Sequence, residues 1–365
     1  MTISAEQRLD KLTSLRFFAA LMVVFFHSRV QLTPTHDLLQ RSYVHFFAYG
    51  FMGVSIFYVL SGFVISLAND RWRGWRQYLT GRVIRIYPSH WLVTLALVSG
   101  WVVMHYHLYL IASWRVDFAN LLLVQAWIPD VRYYLSLNTV SWSLSVEMFF
   151  YVAFLALRHL SDRQLYALTT LSCGLLIFMI SIPHPGVDPY WAFYINPVAR
   201  LPEFLSGMTL YRLYRSGALV NLPAPRFDFL LLAVFMLLAA AFLGSRGIGV
   251  SWFYSIIPLP FCILMMVSLL GESHNRYMTN PTLVLLGEAS FGLYLIHHPI
   301  IDFFNLLVRK HAGVEAVLLQ LVAVALCVVS SVVFYMFIES RLTRALKAFF
   351  MGRAVSKMPS PLVSE

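Results

Sequence analysis

Charged residues are scarce in this chain: Asp, Glu, Lys and Arg make up 12% of its 365 residues, about half the share usual in a soluble domain. A soluble enzyme is a poor fit to that composition. Cysteine is scarcer still, with three residues, Cys173, Cys262 and Cys327. Each falls inside an apolar run, which argues against a disulfide framework and against a thiolate metal site. Internal repeats and low-complexity tracts are missing as well, and no appended soluble domain is expected.

What is present is apolar: 59% of the residues are hydrophobic. Runs of about 20 such residues recur, the length needed to cross a hydrocarbon core. The expected fold class is all-α, a polytopic transmembrane helical bundle. Ten spans are expected, near 14–33, 50–68, 88–111, 141–158, 164–182, 191–213, 227–244, 252–271, 282–308 and 314–340. The run "FANLLLVQAWI" at 118–128 is too short to cross and is expected at the interface or as a re-entrant piece. No small-residue cleavage site follows the first run, so it is read as an uncleaved span. Residues 1–344 are expected to form a single membrane domain, and 345–365 a short cytoplasmic tail, polar enough to be disordered.

The formal net charge is +10. In a soluble chain that would point to nucleic acid; here it orients the spans, and no nucleic-acid partner is expected. With the amino terminus inside, 19 of the 27 basic residues fall on the inner side. The loop 69–87 alone carries Arg71, Arg73, Arg76, Arg82 and Arg85. Both termini are therefore expected in the cytoplasm, with the loop around Asp37 outside.

Ionisable groups within spans are costly, about 2.5–3.5 kcal/mol each at the centre on insertion scales, so each needs a reason. Four spans carry them: "LTSLRFFAALMVVFFHSR" with Arg16 and His27, "SWSLSVEMFFY" with Glu147, "NPVARLPEFLSG" with Arg200 and Glu203, and "GLYLIHHPI" with His297 and His298. Arg16 and His27 are eleven residues apart, three helical turns plus about 20°, so they share one face and lie about 16 Å apart along the axis. Taken at that rise per residue, His27, Glu147, Arg200 with Glu203, and His297 with His298 fall in one layer, with Arg16 at the inner edge. Each also has a plainer role. Arg200 and Glu203 suit a structural ion pair at i,i+3 spacing. A histidine beside Pro299 suits a carbonyl freed by the proline. The same layer would serve a secondary transporter, although no paired hydropathy repeat is visible.

Together these stretches resemble the acyltransferase 3 family of integral-membrane acyltransferases. The resemblance rests on Arg16 and His27, on "GVSIFYVLSGFVIS", on Arg82 and Arg85 in "RVIRIYP", on "WSLSVEMFFY", "RLPEFLSGM" and "SFGLYLIHHPI", and on "FIES" around Glu339. One departure is Ser55, which stands where many members carry an acidic residue. The extra span and carboxyl-terminal esterase-like domain of some members are not expected here.

The resemblance implies transfer of an acyl group, usually acetyl, from cytoplasmic acyl-CoA to a hydroxyl of a glycan, lipid-linked saccharide or similar acceptor. No metal is implied. It implies a multi-pass protein of the bacterial inner membrane, in contact with membrane lipid, and it leaves room for a homo-oligomer. His27 would serve as general base or covalent relay, because burial favours the neutral imidazole such a role needs. Glu147 would fix its tautomer. Arg82 and Arg85 would hold the phosphates of CoA, which suit the planar guanidinium, with Arg16 along the donor's route. Arg200, Glu203 and His297 would form a substrate site or a structural polar layer.

Overall fold

Apolar helices in lipid gain little from hydrophobicity when they associate; small residues, close packing and polar contacts hold them together. The computed structural model of the chain describes residues 5–29, 37–70, 74–103, 113–219, 228–270, 275–308, 311 and 313–352. These residues are helical between short turns, with no strand among them.

Along the chain, α1 spans Ala5–Ser28, α2 Leu38–Phe46, α3 Gly53–Asn69 and α4 Trp75–Val103. Short α5 (Trp114–Leu121) and α6 (Val131–Tyr134) precede α7 (Trp142–Leu157) and α8 (Asp162–Ser181). Then come α9 (Leu201–Arg215), α10 (Phe229–Ser245), α11 (Pro258–Leu270), α12 (Pro281–Glu288) and α13 (Ser290–Val308). The last are α14 (Gly313–Phe334) and, after a π-helical turn, α15 (Ser340–Met351). Local sequence sets several of the starts. Ser161 and Gln164 form a capping box on α8, and Asn280 caps α12 just ahead of Pro281, a residue suited to the first helical position.

Each of the ten expected spans overlaps a helix over its described residues, and by length and composition six helical segments among the described residues can cross a membrane. The sixth expected span differs from expectation. Instead of one helix over 191–213, a π-helical turn at Trp191–Ile195 and a break at 196–200 precede α9. Asn196 accepts the Val198 N–H at 2.9 Å, and Pro197 lacks a donor, so local turn bonds replace helical ones. The short run 118–128 does not cross: it forms the end of α5 and a turn. Tyr87, Trp91 and His90 of α4 bond its carbonyls, those of Leu122, Leu121 and Asn120, at 2.9, 2.9 and 3.1 Å. The expected disordered tail also needs correction. Residues 345–351 continue α15, whose Leu342, Ala345, Leu346, Phe349 and Phe350 follow the i, i+3, i+4 period of an amphipathic helix. Residues 353–365 lie outside the described residues.

The chain divides into two units. The first comprises Met1–Phe57, Leu219–Phe253 and Ile257–Ile338, and the second Tyr58–Ala218, Tyr254–Ile256 and Glu339–Glu365. Within the first, α1 packs on α12 and α13, and α13 on α14. Phe17, Ala20 and Val24 of α1 meet Leu293 and Ile301 of α13 and Val324 and Cys327 of α14. Within the second, α8 packs on α9, and α4 on α7 and α15. Helices α3 and α9 touch backbone to backbone there: a Cβ on Gly62 would overlap the Phe204 carbonyl, and one on Gly207 the Val59 carbonyl.

Candidate active site

The apolar seam of the first unit ends in histidine. Along α1, positions 17, 20 and 24 face α13, and His27 is the next residue in that stripe by helical period. On α13, Leu293 and Ile301 belong to the same core, and His297 lies midway between them. The two rings accordingly meet, with centroids 5.0 Å apart and His297 Nε2 3.1 Å from His27 Nδ1. His27 Nδ1 also lies 2.9 Å from the Val23 carbonyl oxygen, while His297 Nδ1 lies 2.8 Å from that of Tyr294 and 3.2 Å from that of Leu293. His297 is fully buried, and the His27 side chain is half-buried.

His298 adds a third ring, 5.2 Å from that of His27, and its Nδ1 pairs with Asp302 at 2.7 Å. This pair was not expected from the sequence, although its i,i+4 spacing is legible in "HHPIID". The plainer role for His297 does not apply, since the carbonyl freed by Pro299 is that of Leu295, four residues back. The carbonyls His297 touches are those of Leu293 and Tyr294. Arg16 is half-buried on α1.

The other expected residues belong to the second unit. Glu147 accepts a hydrogen bond from Tyr151, one turn along α7. The Arg82 guanidinium lies over the rings of Tyr151 at 5.3 Å and Tyr78 at 5.4 Å, so Tyr151 links Arg82 to Glu147. Arg85 pairs with Glu339 at 3.2 Å, the arginine 29% exposed and the glutamate 0%. Lys347 of α15 stands within electrostatic reach of Arg85 and Arg82, a third cation that the sequence signalled only through the amphipathic period of its helix. Arg71 and Arg73 lie outside the described residues.

Arg200 and Glu203 do pair, Nε to Oε2, at 3.0 Å with both side chains 0% exposed. Arg200 also donates to the Tyr254 carbonyl and, at 3.1 Å, to Ser255 Oγ. Its guanidinium lies 5.1 Å from the ring centroids of both Tyr58 and Tyr194. These contacts link the start of α9 to α3, to the turn at Trp191–Ile195 and to residues 254–255. Among the described residues no group of three or more His, Cys, Asp or Glu side chains could hold a metal ion.

The family model for an acyltransferase domain matches residues 9–336. The chain belongs to the acyltransferase 3 family. It is thus an acyltransferase, and with six helical segments among the described residues long and apolar enough to cross a membrane it is a multi-pass membrane protein. It is 27% identical to the acyltransferase MdmB of Streptomyces mycarofaciens, over 98% of this chain and 97% of that protein. The exopolysaccharide production protein ExoZ of Rhizobium meliloti is 27% identical over 69% of this chain and 77% of its own length. The peptidoglycan O-acetyltransferase OatA of Listeria monocytogenes is 25% identical over 69% of this chain, which spans 45% of that protein. No solved structure matches the chain.

Proposed function

We propose that this acyltransferase moves an acyl group, acetyl in the first instance, from cytoplasmic acyl-CoA to a hydroxyl of a glycan, lipid-linked saccharide or related acceptor. The named relatives, an exopolysaccharide production protein and a peptidoglycan O-acetyltransferase, support that class of acceptor. The observation that carries the reading is His27 itself: an imidazole closing an otherwise apolar helix seam, with its Nδ1 engaged by protein atoms.

A thioester is reactive, but a sugar hydroxyl is a weak nucleophile at neutral pH. His27 takes the hydroxyl proton as the oxygen attacks the thioester carbonyl carbon; the carbon–sulfur bond breaks and the proton passes to the departing sulfur. A covalent relay would place the acyl group on the imidazole first. Arg82 and Arg85 are assigned to the donor's phosphates, with Lys347 as a further cation and Arg16 on the route of the donor's arm. Glu147, on its own account, is the second candidate for a catalytic role, tested by Glu147→Gln. The charge distribution of the loops supports both termini in the cytoplasm, and the enzyme is assigned to a bacterial inner membrane.

The test is transfer by purified protein in nanodiscs, with acetyl-CoA and a hydroxyl acceptor. His27→Ala should lower the rate by about 10² to 10⁴ and leave CoA affinity near normal. Near-normal transfer by that variant removes His27 from the mechanism and leaves Glu147 or His297 as the base to examine.

A further inference from the structure

The hydrogen bonds around the two histidines determine which nitrogen of His27 carries a proton. His297 Nδ1 faces two carbonyl oxygens, of Tyr294 at 2.8 Å and Leu293 at 3.2 Å. Carbonyls only accept, so His297 Nδ1 bears hydrogen, and in the neutral ring its Nε2 is then a bare acceptor. That Nε2 lies 3.1 Å from His27 Nδ1, so His27 must donate across the gap. The Val23 carbonyl, 2.9 Å from the same His27 Nδ1, makes the same demand. A doubly protonated His297 would set two N–H groups against each other, which this geometry disfavours. Both neutral rings therefore carry hydrogen on Nδ1, and the lone pair of His27 sits on Nε2.

We propose that His297 is the positioning residue of His27, holding its ring so that Nε2 is the nitrogen that meets the acceptor hydroxyl. The inference rests on the function proposed above for His27. The two acceptors divide the work. The Val23 carbonyl belongs to the same helix as His27 and moves with it. His297 comes from α13, is 0% exposed and is held by its own helix's carbonyls, so it ties the ring to a second, fixed helix. When Nε2 takes the hydroxyl proton, the ring becomes an imidazolium and its Nδ1–H a charged donor. Its bonds to Val23 and His297 then strengthen without either partner moving. Nε2 later gives its proton to the thiolate, and the ring returns to its starting tautomer. His297 acts here in the way a carboxylate acts on histidine in other acyl-transfer sites, but as a neutral acceptor.

The decisive measurement is nitrogen NMR of protein labelled with 15N-histidine in nanodiscs, with His27→Ala supplying the assignment. The expected spectrum shows His27 protonated at Nδ1 and bare at Nε2, with a through-bond 15N–15N coupling from His27 Nδ1 to His297 Nε2. A His27 ring protonated at Nε2 in the unmodified protein overturns the proposal. In parallel, His297→Leu should lower kcat by about tenfold or more, with little change in KM for acetyl-CoA. His297→Gln, which keeps an acceptor oxygen near the same reach, should recover part of the loss. Unchanged kcat in His297→Leu overturns the positioning role, and the spectrum of the unmodified protein decides the tautomer even where that variant fails to fold. Full transfer by His27→Ala would instead remove His27, and with it His297, from the mechanism and leave only the tautomer result standing.

Discussion

Replacing Arg200 with methionine tests whether the buried ion pair holds the second unit together or binds a reactant. The substitution keeps a long side chain but removes the guanidinium from between the rings of Tyr58 and Tyr194. It also removes the donors to Tyr254 and Ser255 and the partner of Glu203. Each cation–π contact is worth about 0.5–2 kcal/mol. Glu203 suffers more, because its carboxylate stays at 0% exposure and loses its arginine. Breaking such a pair from one side costs about 3–5 kcal/mol, although protonation of Glu203 would relieve part of it. The ratio of folded to unfolded protein at a fixed temperature should therefore fall by about two to three powers of ten, at about 1.4 kcal/mol per tenfold step. The double variant Arg200→Met, Glu203→Leu removes both charges and should recover most of the loss, because a buried pair replaced by packed apolar groups is often neutral or better. The assay is the temperature at which detergent-solubilised protein loses CoA binding, compared at one heating rate because membrane-protein unfolding is commonly irreversible. A single variant as heat-stable as the unmodified protein, but without transfer activity, would refute the structural assignment and place Arg200 in a reactant site.

Two further outcomes are expected. Replacing Arg82 and Arg85 with glutamine should weaken CoA binding tenfold or more, since hydrogen bonds to charged groups contribute about 1.5–3 kcal/mol each; unchanged affinity in a folded double mutant would reduce both to topology determinants. A reporter at the carboxyl terminus should score cytoplasmic and one inserted beside Asp37 external, and the reverse pattern would discard the proposed orientation.

Hydropathy alone determined that the chain is helical and crosses a membrane repeatedly, because a crossing segment must satisfy its own backbone within itself and so writes its length into a local run of residues. Local spacing also determined that Arg200 and Glu203 could pair, that Arg16 and His27 share a face of one helix, and that Glu147 and Tyr151 stand one turn apart. The break after Ile195 was visible only as two prolines and an asparagine inside an apolar run, a pattern that hydropathy averages away. Contacts between distant segments were decided by the tertiary structure. His27 meets His297 across 270 residues, and Arg85 meets Glu339, because α1 packs on α13 and α4 on α15. No periodicity in one segment encodes its partner in another. Burial was decided in the same way: the i,i+3 spacing of Arg200 and Glu203 is equally compatible with a surface pair. It is the aromatic side chains of Tyr58 and Tyr194 and the backbone of Tyr254, brought in from three other parts of the chain, that enclose the guanidinium. The proton on His27 is the furthest such case, since it depends on a carbonyl of α1 and a ring of α13 that only packing places within hydrogen-bond reach of one nitrogen.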